Sequence, residues 1–285
     1  MLANNNEAII NKLAKNSVKT NKKQYAILFF TIILSAFMLF CVFTIGMTYL
    51  DSSRLQNTRL NGAEYDILTM NGFTSEQLNT LRQNENIRSV GIESYAGFIQ
   101  RTEYDKTVEI GLLWCDEVFW DNLMSPARTK LDGHYPQNKN ELMVTKNILK
   151  TCGNENLSVG DSLILTYENN TGVYTDEFVI SGIWDGYGDT SAGFVSKAFY
   201  DETGYDLKNN GILCIKLNCN YVFPTTIQSI EKSLDFSDRQ IFAPTGYIEN
   251  SFKLLLGICG LALVICLSAY LLIYNILYLS VSGKI

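Results

Sequence analysis

Two long apolar blocks bracket a polar middle, and that contrast organises the chain. Residues 25–50 read YAILFFTIILSAFMLFCVFTIGMTYL without a charge, and a second charge-free run covers residues 254–279. About 20 apolar residues in a helix cross the ~30 Å hydrocarbon core of a bilayer, and within lipid each backbone polar group must be satisfied inside its own segment. Residues 25–50 and 251–279 are therefore expected to be transmembrane helices. A signal peptide has an apolar run of only about 7–15 residues and a small-residue cleavage site, and the first block has neither feature. Ahead of it, in residues 1–24, Ile9, Ile10, Leu13, Ala14 and Val18 recur at helical spacing while Lys12, Lys15 and Lys19 fall largely elsewhere around the wheel. That pattern fits an amphipathic helix along the inner leaflet, or a basic leader that only sets topology.

The polar middle carries shorter periodicities. The first apolar helix is expected to continue beyond Leu50 as a stalk until Asn61-Gly62. A strand over 65–70, a helix over 74–84 with Thr74 and Gln77 as a capping pair, and one or two strands over 87–101 then give a βαβ order. A matching set follows near the far end: a strand over 211–217, a helix over 224–234 opened by Pro224, and a last short strand over 239–242. Between them lie a weak strand over 107–114, a helical stretch over 116–124, a strand over 141–144 leading into a helix over 145–149, and a hairpin. The hairpin pairs 162–167 with 177–183 through the turn residues Glu168-Asn169-Asn170-Thr171-Gly172. The expected architecture is an α+β membrane protein in which two transmembrane helices bracket an extracytoplasmic domain, 51–250. Residues 62–104 and 206–245 would form a ferredoxin-like part, and 105–205 a β-rich insertion.

Charge sets the orientation. Five lysines (Lys12, Lys15, Lys19, Lys22, Lys23) against Glu7 precede the first block, so the amino terminus is expected in the cytoplasm and 51–250 outside; Lys253 opposes this weakly. With a net charge of −6 for 285 residues and basic ends, the middle is strongly acidic, which disfavours nucleic acid as a partner and permits a cationic ligand. Cys41, Cys259 and Cys266 lie in the apolar blocks as packing residues; Cys115, Cys152, Cys214 and Cys219 lie outside without the spacing of a disulfide scaffold, so their disulfide state stays open.

Catalytic chemistry is not legible. His134 is the one histidine, so no Ser or Cys nucleophile has a customary base, and no cysteine or acid spacing matches a metal motif. Gly283-Lys284 lacks the remainder of a phosphate loop, and Asp185-Gly186-Tyr187-Gly188-Asp189 lacks the register of a dinucleotide or calcium loop. Acid pairs such as Glu168 with Glu177 cannot be assigned as a dyad from spacing. The expectation is a non-enzyme with no catalytic, cofactor or metal residues. In the second block Gly257, Gly260 and Asn275 are helix-packing candidates, small residues for close approach and an amide for an interhelical hydrogen bond, while Tyr270, Tyr274 and Tyr278 fit interfacial anchors.

A series of motifs carries a likeness. Leu131-Asp132-Gly133-His134-Tyr135-Pro136, then Glu141-Leu142-Met143-Val144, then Leu157-Ser158-Val159-Gly160-Asp161-Ser162-Leu163, then Phe178-Val179-Ile180-Ser181-Gly182-Ile183 resembles the extracytoplasmic core of MacB/FtsX-like ABC transporter permeases. Leu13-Ala14-Lys15-Asn16-Ser17 is similar to the family's entry helix, and 270–277 to its second-span signature. The resemblance implies a porter-like ferredoxin part with an inserted β-rich part in a multi-pass protein of the bacterial cytoplasmic membrane. It further implies a second permease copy or half, and a separate ABC ATPase subunit that carries ATP and Mg. Gly133, Pro136, Glu141, Gly160, Asp161, Phe178 and Gly182 would be structural: glycines for turns at positive φ, a proline that stiffens a turn, and an aspartate that caps a hairpin entry. Antimicrobial peptides, lipids or lipoproteins are the substrate classes implied. The chain stops about where the coupling region would begin, at 280–285, so an amino-terminal fragment is expected. A two-span sensory receptor with a ligand-binding outer domain shares this topology; sequence beyond Ile285, a signalling module or further spans, would separate the two.

Overall fold

A computed structural model describes residues 6–100, 110–187 and 192–282. Residues 107–109 of the expected strand, 188–189 of the glycine-rich turn and 283–285 lie outside the described residues, as do the side chains of Leu13, Ala14, Ser17 and Val18. The chain divides into two compact units, Met1–Asp51 with Lys253–Ile285, and Ser52–Phe252.

The first unit is helical. Helix α1, Asn6–Thr20, is separated by a bend at Asn21 from α2, Lys22–Asn61, which runs unbroken through the single glycine Gly46 because it holds no proline. Helix α2 and the last helix of the chain, Gly246–Ser282, are long and apolar enough to cross a bilayer. Within this unit, Ile258 of the last helix lies against Gly46 of α2, where a Cβ would come within 2.7 Å of the isoleucine Cδ1. The close approach is made at Gly46, which was not among the helix-packing candidates; Gly257 and Gly260 face open space and Asn275 is exposed.

The second unit is a mixed α/β body around one ten-stranded sheet. In chain order come β1 (Ile67–Met70), α3 (Ser75–Gln83), β2 (Ile87–Ile99) and β3 (Ile110–Cys115), a π-helical turn (Val118–Leu123) and a 3₁₀ turn (Ser125–Ala127). Then follow β4 (Arg128–Gly133), β5 (Glu141–Thr145), α4 (Lys146–Thr151), β6 (Ser162–Asn169), β7 (Gly172–Gly186), β8 (Ala192–Val195), α5 (Lys197–Tyr200) and α6 (Leu207–Asn210). Strand β9 (Ile212–Leu217), α7 (Pro224–Lys232), β10 (Ile241–Pro244) and α8 (Gly246–Ser282) complete the chain. Thr74 caps α3 in a reciprocal capping box with Gln77, as the sequence pattern predicts.

The sheet order is β10-β1-β9-β2-β3-β8-β5-β7-β4, with β6 bridging β2 and β7. Strand β1 lies antiparallel between β10 and β9, and β9 pairs antiparallel with β2, so the two expected βαβ halves interleave strand by strand. The strands of 105–205 join this same sheet. Strand β2 serves several partners along its 13 residues: its first half pairs with β9, its second half with β3, and Phe98 and Ile99 also meet β6, with a register shift between Tyr95 and Gly97.

Local patterns explain what was and was not foreseen. Burial alternates along β6, with Leu163, Leu165 and Tyr167 inside, while Ile164 stays exposed. Strand β4 was not anticipated: its sequence RTKLDG is charged and almost wholly exposed, as an edge strand is and as a loop reads. The hairpin turn is tighter than expected, since pairing continues to Asn169 and Gly172. The core has two clusters. One runs from Leu81, Val90 and Ile215 to Leu142, Phe178 and Ile180; the other gathers Phe119, Trp120, Met143, Trp184 and Phe194.

Candidate functional site

The motif residues converge on β4, β5 and β7. Gly133 ends β4 at φ +86°, opposite Gly182 of β7, and a Cβ on it would stand 2.2 Å from the Ser181 carbonyl oxygen. The next amide, His134 N–H, donates to that same carbonyl at 2.9 Å. Gly182 is hemmed in turn by Met143 Cε and the Asp132 and His134 carbonyls. Two strands can touch here only where both lack side chains.

Pro136, which is buried, then turns the chain into a ring closed by Glu141. The Glu141 carboxylate accepts from the Gln137 amide (2.7 Å), the Asn138 amide (3.1 Å) and the Asn138 side-chain amide (2.8 Å). Slight burial would raise this carboxyl; the three donors outweigh it and hold the group below the ordinary glutamate range. On the other side of β7, Gly160 at φ +96° donates to the Ile180 carbonyl. Asp161 caps its own turn by accepting from Ser158 N–H at 2.8 Å, while its carbonyl accepts from Ile180 N–H. Phe178 is buried against the rings of Tyr167 and Phe199. All seven residues thus hold strands and turns together, and none presents a reactive group to another.

Sequence reasoning missed a buried ion cluster. Lys216, on β9, is 5 % exposed and lies 3.2 Å from Asp66 and 3.1 Å from Glu64, both just beyond the end of α2. Asp66 also accepts from Leu217 N–H, and its own carbonyl accepts from Thr245 N–H, immediately before α8. Burial pushes the Asp66 carboxyl up, and the pull of Lys216 and the Leu217 amide only partly offsets this. The signal was present as a lone lysine within the apolar strand ILCIKL.

A second buried polar group surrounds Tyr135. Its hydroxyl accepts from Cys115 N–H at 3.0 Å and lies 3.2 Å from the carbonyls of Cys115 and Val195, while its ring packs on Trp120 and Phe194. Burial raises the thiols of Cys115 and Cys214 well above their ordinary value, so both remain protonated packing groups. Part of nearby Glu93 reaches solvent, yet the protein around its carboxyl pushes it up to about 7. Cys214 and Cys219 are free thiols, one buried and one exposed. Among the described residues no three of His, Cys, Asp and Glu converge as metal ligands.

Open clefts lie among the described residues, and two are described by their linings. One, about 540 Å³, is lined by Asn71, Gln77, Lys208, Asp235 and Arg239 among others; the second, about 730 Å³, lies beside Gln100, Lys150 and Thr166. The first has a mixed lining and the second a mainly polar one.

No family model and no curated protein matches the sequence. Among solved structures, the chain is similar to the periplasmic region of MacB from Actinobacillus actinomycetemcomitans, at 12 % identity and a TM-score of 0.43, over 68 % of this chain and 95 % of that one. It is also similar to the extracellular domain of the noncanonic ABC-type transporter YknZ from Gram-positive bacteria, at 12 % identity and a TM-score of 0.40, over 62 % of this chain and 98 % of that one.

Proposed function

We propose that this chain is permease machinery of an ABC transporter of the MacB/FtsX type, with an extracytoplasmic domain carried between two membrane helices. The observation that supports this reading most directly is the joint placement of the sequence motifs. Gly133, Glu141, Gly160, Asp161 and Gly182 come from separate motifs between residues 133 and 182, yet they gather at β7 and the turns beside it, inside a domain bracketed by two apolar helices. A set of scaffold residues without nucleophile, base or metal ligands suits a module that transmits force better than one that performs chemistry.

On this reading the four strands β10, β1, β9 and β2, with α3 and α7, constitute a ferredoxin-like porter part, and β3 to β8 constitute its β-rich insertion. Lysines ahead of the first span keep the amino terminus in the cytoplasm. ATP and Mg act in a separate ATPase subunit, and its closure reaches the outer domain through the ends of α2 and α8. The open faces at Gly257 and Gly260, and the exposed amide of Asn275, accept a helix of a second permease copy or half. Antimicrobial peptides, lipids or lipoproteins are the substrate class, and the acidic outer domain suits a cationic peptide.

The test is reconstitution of the protein with a cognate ABC ATPase. Co-purification in detergent and a vesicle-dependent change in ATP turnover are expected. An inserted, folded protein that neither binds that ATPase nor alters its turnover would refute the assignment.

A further inference from the structure

We infer that the cleft between the β6–β7 hairpin and α5 is a cation site that takes a primary ammonium on an aliphatic stem, as a peptide lysine carries it. The choice of a peptide as the source rests on the transporter reading above; the chemistry of the cleft stands on its own residues. It begins from a strand pattern that one residue breaks. Tyr174, Asp176 and Phe178 of β7 pair in register with Tyr167, Leu165 and Leu163 of β6, all three of which are buried. Period-two alternation reserves that face of the hairpin for apolar side chains, yet Asp176 stands in the middle of it and stays exposed. Local rules are broken in this way mainly at positions with another task.

The surroundings of Asp176 identify the task. A cleft of about 230 Å³ opens there, lined by Lys139, Tyr167, Tyr174, Phe199 and Glu202 as well as Asp176. Drug-sized ligands need ~300 Å³ or more, so this cleft suits a single side chain. Its walls are aromatic: the Tyr167 ring lies 5.4 Å from that of Phe199 and 6.0 Å from that of Tyr174. Such rings attract a cation over their faces and pack on an aliphatic stem. Two carboxylates, Asp176 and Glu202, stand against one ammonium, that of Lys139, so the cleft is negative. Lys139 pairs with Glu202. An exposed loop lysine thus already seats its ammonium against one carboxylate and leaves the other open. Asp176 has no cationic partner among the described residues; the Tyr167 hydroxyl donates to it at 2.6 Å. Burial, and then the bond to Asp176, raise that hydroxyl, so it remains a donor and adds no charge of its own.

Titration of the full chain in lipid nanodiscs with an end-blocked Gly-Lys-Gly peptide, followed by ligand-observed NMR, tests the proposal. Saturable binding is expected for this peptide and none for its norleucine counterpart, which lacks only the ammonium. Asp176→Asn keeps an acceptor for Tyr167 and should weaken binding roughly tenfold or more. Lys139→Met frees Glu202 and should tighten it about two- to fivefold. Glu177→Gln removes the same charge from the opposite face of β7 and should leave binding unchanged. Equal loss in D176N and E177Q would mean that only the net charge of the domain is sensed. Unchanged binding in D176N would mean that Asp176 merely guards the free edge of the hairpin. Either result overturns the inference. Binding of n-butylamine without binding of the lysine peptide would overturn the peptide as the source. Peptide binding by a protein that no ABC ATPase engages would refute the transporter reading instead and leave the cation site standing.

Discussion

Gly133 and Gly160 share a left-handed backbone but not a neighbourhood, and that difference separates two costs that sequence cannot. At Gly160 a Cβ would meet nothing within 4 Å, so Gly160→Ala should cost only the conformational penalty, about 1–2 kcal/mol. At Gly133 the same substitution drives a methyl into the Ser181 carbonyl as well, and a loss of more than about 3 kcal/mol is predicted. Denaturant unfolding followed by tryptophan emission ranks the two, and equal losses would contradict the close approach of β4 to β7. Glu141 supplies a pH test. Its carboxyl is held low, so its stabilisation is complete above the unfolded glutamate value of about 4.3 and disappears as pH falls through the lower folded value. Acid titration of Glu141→Gln should lack that part of the stability loss; a profile identical to the parent would remove the ring from the account. The glycines and Glu141 were legible as turn and motif residues in sequence. Their contact across β7 was not, because it depends on register between strands separated by a long stretch of chain.

The ion cluster on β9 belongs to the scale of elements, because Asp66 joins the exit from α2, the strand carrying Lys216 and the residue before α8. Removing the cation alone leaves the Asp66 carboxylate buried without its counter-charge, beside the partly exposed Glu64. Lys216→Met is therefore predicted to lose about 3–5 kcal/mol, and the double variant Asp66→Asn/Lys216→Met to recover about half or more of it, since the Asn oxygen can still accept from Leu217 N–H. Equilibrium unfolding of the single and double variants measures the coupling, and additive losses would mean the charges act independently. Periodicity and caps identified α3, β2, α7 and β9 in sequence because each buries one face or begins at a recognisable residue. Strand β4 escaped because an exposed, charged edge has no apolar alternation to display.

At the scale of the whole molecule, the cysteines offer a topology assay. Cys219 is exposed in the Ser52–Phe252 unit and Cys152 only partly so, whereas Cys115 and Cys214 are buried with raised thiols. With that unit outside the cytoplasmic membrane, a membrane-impermeant maleimide added to intact cells should label the protein, and Cys219→Ser should lose most of the label. Labelling seen only after lysis would invert the topology and remove the basis for a transporter role.

The apolar blocks, the long helices and the paired βαβ units follow from sequence alone, because hydrophobic periodicity, caps and chain length act locally and need no partner. Tertiary structure decided the rest: that the middle strands extend a single sheet through β2, that distant glycines meet at β7, and that Lys216 finds its carboxylates at the base of β9. Each of these depends on which surfaces come together across the chain. Strand order and register are set by the collective burial of a core, and no local run of residues encodes that on its own.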